Sequence, residues 1–337
     1  MMEVVAVSKL HIGVMSSYNE CCGISAYTER LLSHLSKDVD ITLLRNTPYN
    51  KVPATNYANV KDLECFKVTI WTNEIYFDEA AALAAVQEID VLHVQFESAL
   101  YHASWLIPFL TKVRALGIKV VCTAHSSCIW PGLASYIDVW LSHSESLAAS
   151  LNGLHIHMPI PLTTRRDVPE TKDIVSFGLG RNDDGMVYEA LDTVRATHPD
   201  ALFRPNYGSN KWLTDAELLD YLYSGSTITL LYPPIGAEVR SSSAALALGV
   251  CRPLIVTDTG WFKTALDTFG RRGEQGLYAV NSIAELAETL NTVLSLPPEE
   301  INDQFSRRSA IAHEKGMTLD QVAQGHLGIY KGLTCSS

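Results

Sequence analysis

At 337 residues the chain exceeds what one ordinary hydrophobic core organises, so two domains of roughly 150–170 residues each are expected. Apolar residues make up 47% and charged residues 19%, the balance of a folded chain and not of a disordered one. Lys and Arg total 26 against 37 acidic residues, a formal charge of −11. The field of the whole molecule therefore opposes nucleic acid and anionic membrane surfaces, and only a local basic cleft would bind either.

The seven cysteines (21, 22, 65, 122, 128, 251 and 335) are odd in number and lack metal-ligand spacing. Cys122 and Cys251 stand in apolar runs, as small buried hydrophobes do. A reducing cytoplasm is the expected compartment. Glu3 and Lys9 flank a short apolar run at the N-terminus that does not read as a signal peptide. No stretch approaches the ~20 apolar residues that span a bilayer.

In chain order, residues 10–17 read as a first strand, followed by a polar loop with Cys22 and Gly23 and a helix over 24–35. Ile24, Tyr27, Leu31, Leu32 and Leu35 recur at helical spacing. A loop that ends in Gly and feeds a helix suits phosphate or sugar contact through free backbone N–H groups. Strand signals recur at 40–44, 67–71, 90–96, 119–124 and 139–142, with helical patterns at 78–88 and 104–116. This alternation predicts a parallel sheet covered on both faces, with ligands beyond the carboxyl ends of the strands. Glu97, His125 and Ser144 sit at such ends. A lone histidine is as a rule a satisfied structural residue. His125, followed by Ser126, Ser127 and a Trp-Pro-Gly turn, borders a cleft instead.

Residues 155–172 combine three prolines with a charged run and read as the interdomain linker, with the boundary near 162–172. His155 and His157 fall on one strand face, where structural contacts outweigh a zinc pair because no Cys or carboxylate cluster accompanies them. A second domain opens with a strand at 173–181, a turn and a helix from 185 to 197. A strand at 201–206 and a helix at 215–224 come next. The apolar run 227–232 then enters a Pro-Pro turn, an acidic loop around Glu238, a small-residue helix over 241–250 and a strand from Pro253 to Asp258. Ser241, Ser242 and Ser243 occupy the expected first helical turn, with hydroxyls facing the loop. A strand at 276–280 and helices at 283–294, 298–313 and 318–333 complete the chain.

The stretch Pro…Gly-x-Glu…Ser-Ser…Ala-Leu…Arg-Pro-Leu-Ile-Val-Thr-Asp resembles the donor-sugar loop of GT-B glycosyltransferases similar to family 4. Cys-Gly-Ile-Ser-Ala-Tyr-Thr-Glu-Arg-Leu-Leu is similar to their first loop and helix, and the Thr-x-His ending at His125 to one of their strand ends. The resemblance implies an α/β fold of GT-B architecture, with two Rossmann-like doubly wound domains facing across a cleft and a C-terminal helix crossing back to the first. It implies an acceptor-side domain over 1–165, a nucleotide-sugar domain over 166–318 and a terminal helix over 319–337, with Val322, Leu327 and Tyr330 facing inward.

By the same resemblance Glu238 binds the hydroxyls of the transferred sugar, His125 borders the reacting centre, and Arg181 balances the diphosphate. Substrate contacts fall to Gly23, Cys22, Glu97, Ser126, Lys211, Arg240, Ser241 and Ser242, with Arg204 a further cation and Tyr207 through Lys211 near the base. Two positions depart from the family: Leu246 replaces the second Glu of the loop, and Asp184 stands where a Lys usually precedes Gly185. The implied activity is retaining, hexosyltransferase-type transfer from a UDP- or GDP-sugar to an acceptor hydroxyl, independent of metal and cofactor, with the nucleotide sugar as substrate. The acceptor is a carbohydrate, a lipid-linked sugar, a protein or a modified nucleobase. The alternatives are a sugar-nucleotide-binding protein without transfer and a sugar-nucleotide epimerase on the same fold.

Overall fold

The computed structural model describes residues 9–52, 55–178, 183–207, 213–233, 241–260 and 262–335, with the side chains of Thr69 and Tyr207 set aside. The chain divides into two compact units, Met1–His157 with Asp320–Ser337, and Met158–Leu319.

In the first unit, β1 (His11–Ser16), α1 (Gly23–Leu35), β2 (Asp40–Asn46), β3 (Val60–Phe66), α2 (Thr69–Thr72) and α3 (Glu79–Val86) lead to β4 (Val91–Phe96). Then follow α4 (Ala103–Ala115), β5 (Lys119–Ala124), a 3-10 turn (Leu133–Tyr136), β6 (Val139–Ser142), α5 (Glu145–Ser150) and β7 (Leu154–His155). The seven strands pair in the order β3-β2-β1-β4-β5-β6-β7, and every pairing is parallel. The order turns back between β1 and β4, the switch point beside which open α/β sheets bind ligands. Every residue of β4 is buried, as a central parallel strand requires.

The strand expected at 67–71 is one correction. Val60–Phe66 forms the edge strand, and Thr69–Thr72 is a helical turn. The VKDLECF segment hides its strand character behind charges, because the outer face of an edge strand stays in water. Arg45 on β2 answers those charges, with Nε 2.7 Å from Asp62 Oδ2 and Nη1 2.7 Å from Glu64 Oε1.

The second unit runs β8 (Asp173–Gly178), α6 (Asp184–Val194), β9 (Leu202–Tyr207), α7 (Asp215–Tyr223), β10 (Thr227–Leu230) and α8 (Ser242–Leu248). It continues with β11 (Leu254–Thr257), α9 (Lys263–Phe269), β12 (Leu277–Val280), α10 (Ile283–Leu294) and α11 (Pro298–Glu314). Its parallel sheet has the order β12-β11-β10-β8-β9, with the switch point between β8 and β10. Val187, Leu191 and Val194 of α6 bury one face against Leu286, Leu290 and Val293 of α10. The Pro-rich run read as a linker belongs to this unit from Met158 onward. Its backbone is tied down: Ile160 N–H donates to Met317 O at 2.8 Å and Thr163 N–H to Gly249 O at 3.0 Å.

The last helix, α12 (Leu319–Thr334), packs with the first unit. Val322, Ala323, His326, Leu327 and Tyr330 form one buried stripe at helical spacing. The expected inward face is thus correct for all three predicted residues. No helix among the described residues is long and apolar enough to cross a membrane.

Candidate functional site

The loop after β1 is built around a carboxylate. Glu20 is 1% exposed, and it accepts the backbone N–H groups of Tyr49 at 2.6 Å and Asn50 at 2.7 Å. Asn46 Nδ2 donates to it at 3.3 Å. A buried carboxylate surrounded by donors stays bonded and pins the loops after β1 and β2 together. Cys22 caps α1: its Sγ accepts the N–H of Ser25 at 3.3 Å and lies 3.1 Å from Ser17 Oγ. Burial pushes the Cys22 thiol up, so the cap is a neutral thiol. Gly23 is the first residue of α1, at the helix start that carries free N–H groups.

The next strand ends bring several rings together. Tyr27, on α1, stands edge-on to His125 with centroids 5.2 Å apart and to His143 at 5.1 Å. Its hydroxyl lies 3.1 Å from His326 Nε2 of α12. His125 follows β5, and its Nε2 is 2.8 Å from Gln95 Oε1 in β4. His93, two residues before Gln95, has Nε2 2.8 Å from Thr123 Oγ1 and Nδ1 2.6 Å from Tyr330 OH. Burial lowers the pKa of His125 and His326 well below 6.5 and takes that of His93 to about 3. These imidazoles are therefore neutral at pH 7, and they act as hydrogen-bonding groups.

Glu97 follows β4 and Ser126 follows His125. The Ser126 hydroxyl donates to Glu97 Oε1 at 3.1 Å, and Ser98 donates to the same oxygen at 3.2 Å. The predicted residues Cys22, Gly23, Glu97, His125 and Ser126 thus share the carboxyl edge of β1, β4 and β5. Sequence reading missed the groups that support them: Tyr27, His93, Gln95, His143 and His326. One signal was available. His93, Gln95 and Glu97 alternate along an otherwise apolar strand, which places all three on one face.

Glu238, Arg181, Lys211 and Arg240 lie outside the described residues. Ser241 is the N-cap of α8, where its hydroxyl accepts the N–H of Ala244 at 3.2 Å. Ser242 is the first residue of that helix. Arg204 is not a free cation: it bonds Asp173 Oδ2 at 2.8 Å and Ser224 O at 3.1 Å. Asp183 caps α6 and Asp184 opens it, so that helix start carries its own negative charge. His155 and His157 meet edge-on at 4.6 Å. Among the described residues no three His, Cys, Asp or Glu converge as metal ligands.

No family model matches the sequence, and no curated protein matches it. Among solved structures, Anabaena Alr3699/HepE in complex with UDP-glucose aligns with a TM-score of 0.62 at 11% identity, over 96% of this chain and 100% of that one. A putative UDP-N-acetylglucosamine 2-epimerase from Listeria monocytogenes aligns at 0.62 and 11%, over 98% of both chains. An O-GlcNAc transferase mutant from Thermobaculum terrenum aligns at 0.55 and 11%, over 97% of this chain and 69% of that one. Likeness at such identity speaks for the fold. Two parallel α/β sheets of seven and five strands, with the last helix returned to the first unit, give this chain the fold of the GT-B glycosyltransferases.

Proposed function

We propose that this protein is a retaining glycosyltransferase that moves a sugar from a UDP- or GDP-sugar to an acceptor hydroxyl. The observation that carries the reading is the group of Cys22, Gly23, Glu97, His125 and Ser126 on the carboxyl edge at the β1/β4 switch point. A helix start and a neutral imidazole there offer donors and acceptors suited to an uncharged sugar. The HepE fold neighbour solved with UDP-glucose supports the donor class. In this reading the second unit binds the nucleotide sugar and the first serves the acceptor. Glu238 holds sugar hydroxyls, and Arg181, Lys211 and Arg240 balance charge on the departing diphosphate. Ser242 adds a helix-start N–H. The leaving phosphate takes the acceptor proton, and no protein base, metal or cofactor is assigned. All seven cysteines are free, in keeping with a cytoplasmic protein.

The test is incubation with a panel of UDP- and GDP-sugars, reading nucleotide binding and release of free nucleoside diphosphate. Slow hydrolysis, accelerated by an added acceptor, is expected. Binding without release would assign a sugar-nucleotide-binding protein instead. The Listeria neighbour gives an epimerase specific support as the second reading. An epimerase would convert the sugar nucleotide with no acceptor present, which product analysis detects.

A further inference from the structure

Gln95 is fully buried in β4, and its side chain lies between two imidazoles. Its Oε1 is 2.8 Å from His125 Nε2, and its amide nitrogen is 3.2 Å from His93 Nε2. A neutral imidazole has one N–H and one lone pair, and its fixed neighbour decides which nitrogen holds which. A carbonyl oxygen only accepts, so the nitrogen facing Oε1 carries the hydrogen. The lone pair then falls on Nδ1, which has no hydrogen-bond partner among the described residues. The amide nitrogen faces the His93 ring, 3.2 Å from Nε2 and 3.5 Å from Nδ1. That ring is anchored by Tyr330 OH at 2.6 Å and Thr123 Oγ1 at 2.8 Å, and Gln95, His93, Thr123 and Tyr330 are all fully buried.

We propose that Gln95 is a positioning residue that locks His125 in the Nε2–H tautomer, so that Nδ1 accepts a hydrogen bond from a substrate hydroxyl. That the substrate is a sugar rests on the glycosyltransferase reading; the tautomer does not. A lone pair aimed at the substrate selects for a hydroxyl donor and repels carbonyl, carboxylate or phosphate oxygens. It also discriminates against a deoxy analogue, which would leave Nδ1 unpaired.

The experiment is a long-range proton–nitrogen NMR correlation on the full chain with ¹⁵N-labelled histidine at neutral pH, with His125→Phe assigning the signals. The expected wild-type pattern is a pyrrole-type Nε2 and a pyridine-type Nδ1 at His125. Gln95→Leu, which removes the acceptor, should mix the two tautomers. Gln95→Glu, which still turns an oxygen to Nε2, should keep the hydrogen there. A wild-type spectrum with Nδ1–H as the major form overturns the proposal, and so does a Gln95→Leu spectrum identical to wild type. If the Leu variant does not fold, the wild-type and Glu spectra still decide. In turnover, Gln95→Leu should lower kcat by about tenfold, with a smaller change in KM for the nucleotide sugar. If wild type turns over no sugar nucleotide, the glycosyltransferase reading fails while the tautomer spectrum still judges Gln95.

Discussion

The Tyr330 hydroxyl, near the end of the chain, lies 2.6 Å from Nδ1 of His93 in the central strand of the first unit. Both residues are fully buried, so neither polar group can turn to water if the other is removed. Tyr330→Phe keeps the ring and deletes the oxygen. It should destabilise the first unit by about 1–3 kcal/mol, the cost of an orphaned buried partner. Denaturant unfolding, with a separate reporter in each unit, checks this. An unchanged midpoint for the first unit would mean the contact is not formed.

The neutral histidines make stability depend on pH. His93, His125 and His326 are held below the ordinary value of 6.5 by burial. Below that value the unfolded chain takes up protons that the folded chain refuses, so stability falls as pH drops. Each group contributes up to about 1.4 kcal/mol per pH unit below 6.5, and for His93 this continues to about pH 3. Urea midpoints between neutral and mildly acid pH should decline for wild type. The decline should be shallower once His326 is replaced by Gln. A flat profile would refute the neutral assignment.

Arg308 is 1% exposed, and its guanidinium meets carbonyl oxygens in place of a carboxylate. It donates to Leu248 O at 2.9 Å, Val250 O at 2.6 Å and Gln275 O at 3.0 Å, which ties α11 to the end of α8 and the turn before β12. The last carbonyls of a helix attract a cation, which offsets part of the cost of burying this one. Arg308→Met strands several acceptors together and should cost about 3 kcal/mol or more in the second unit. Thermal unfolding of the variant reads the loss, and a change within error would sink the argument.

Cysteine reactivity should follow exposure and thiol pKa. Cys128 and Cys335 are exposed, whereas Cys22 caps a helix and its thiol is pushed up by burial. Timed alkylation read by mass spectrometry should label Cys128 and Cys335 well before Cys22. Early labelling of Cys22 would contradict the capped state. Cys22→Ala should also cost about 1 kcal/mol by removing the cap, and Cys22→Ser much less.

For the proposed chemistry, Glu238→Ala should lower transfer by about tenfold or more with the thermal transition unchanged. Unaltered turnover would remove Glu238 from the donor site.

Most elements were legible because their patterns are local. α1, β6 and α10 announce themselves by apolar spacing. The candidate site was legible at a loop feeding a helix, through Cys22 and Gly23, and at strand ends, through Glu97 and His125. Its supports were not. Tyr27, Gln95 and His326 stand far apart in the chain, and each looks like an ordinary core residue until the others are placed. Likewise Arg204 reads as a spare cation, and only the fold reveals Asp173 beside it.

What the sequence by itself determined is the alternation of strands and helices and the apolar faces that bury them, since both arise from residues within a turn or two of each other. What only the tertiary structure decided is which polar groups become partners. Parallel pairing sets β4 between β1 and β5, and α12 returns across more than half the chain to lay Tyr330 on His93. Buried polar groups must find partners wherever the packed chain supplies them, and that requirement has no signature in local spacing.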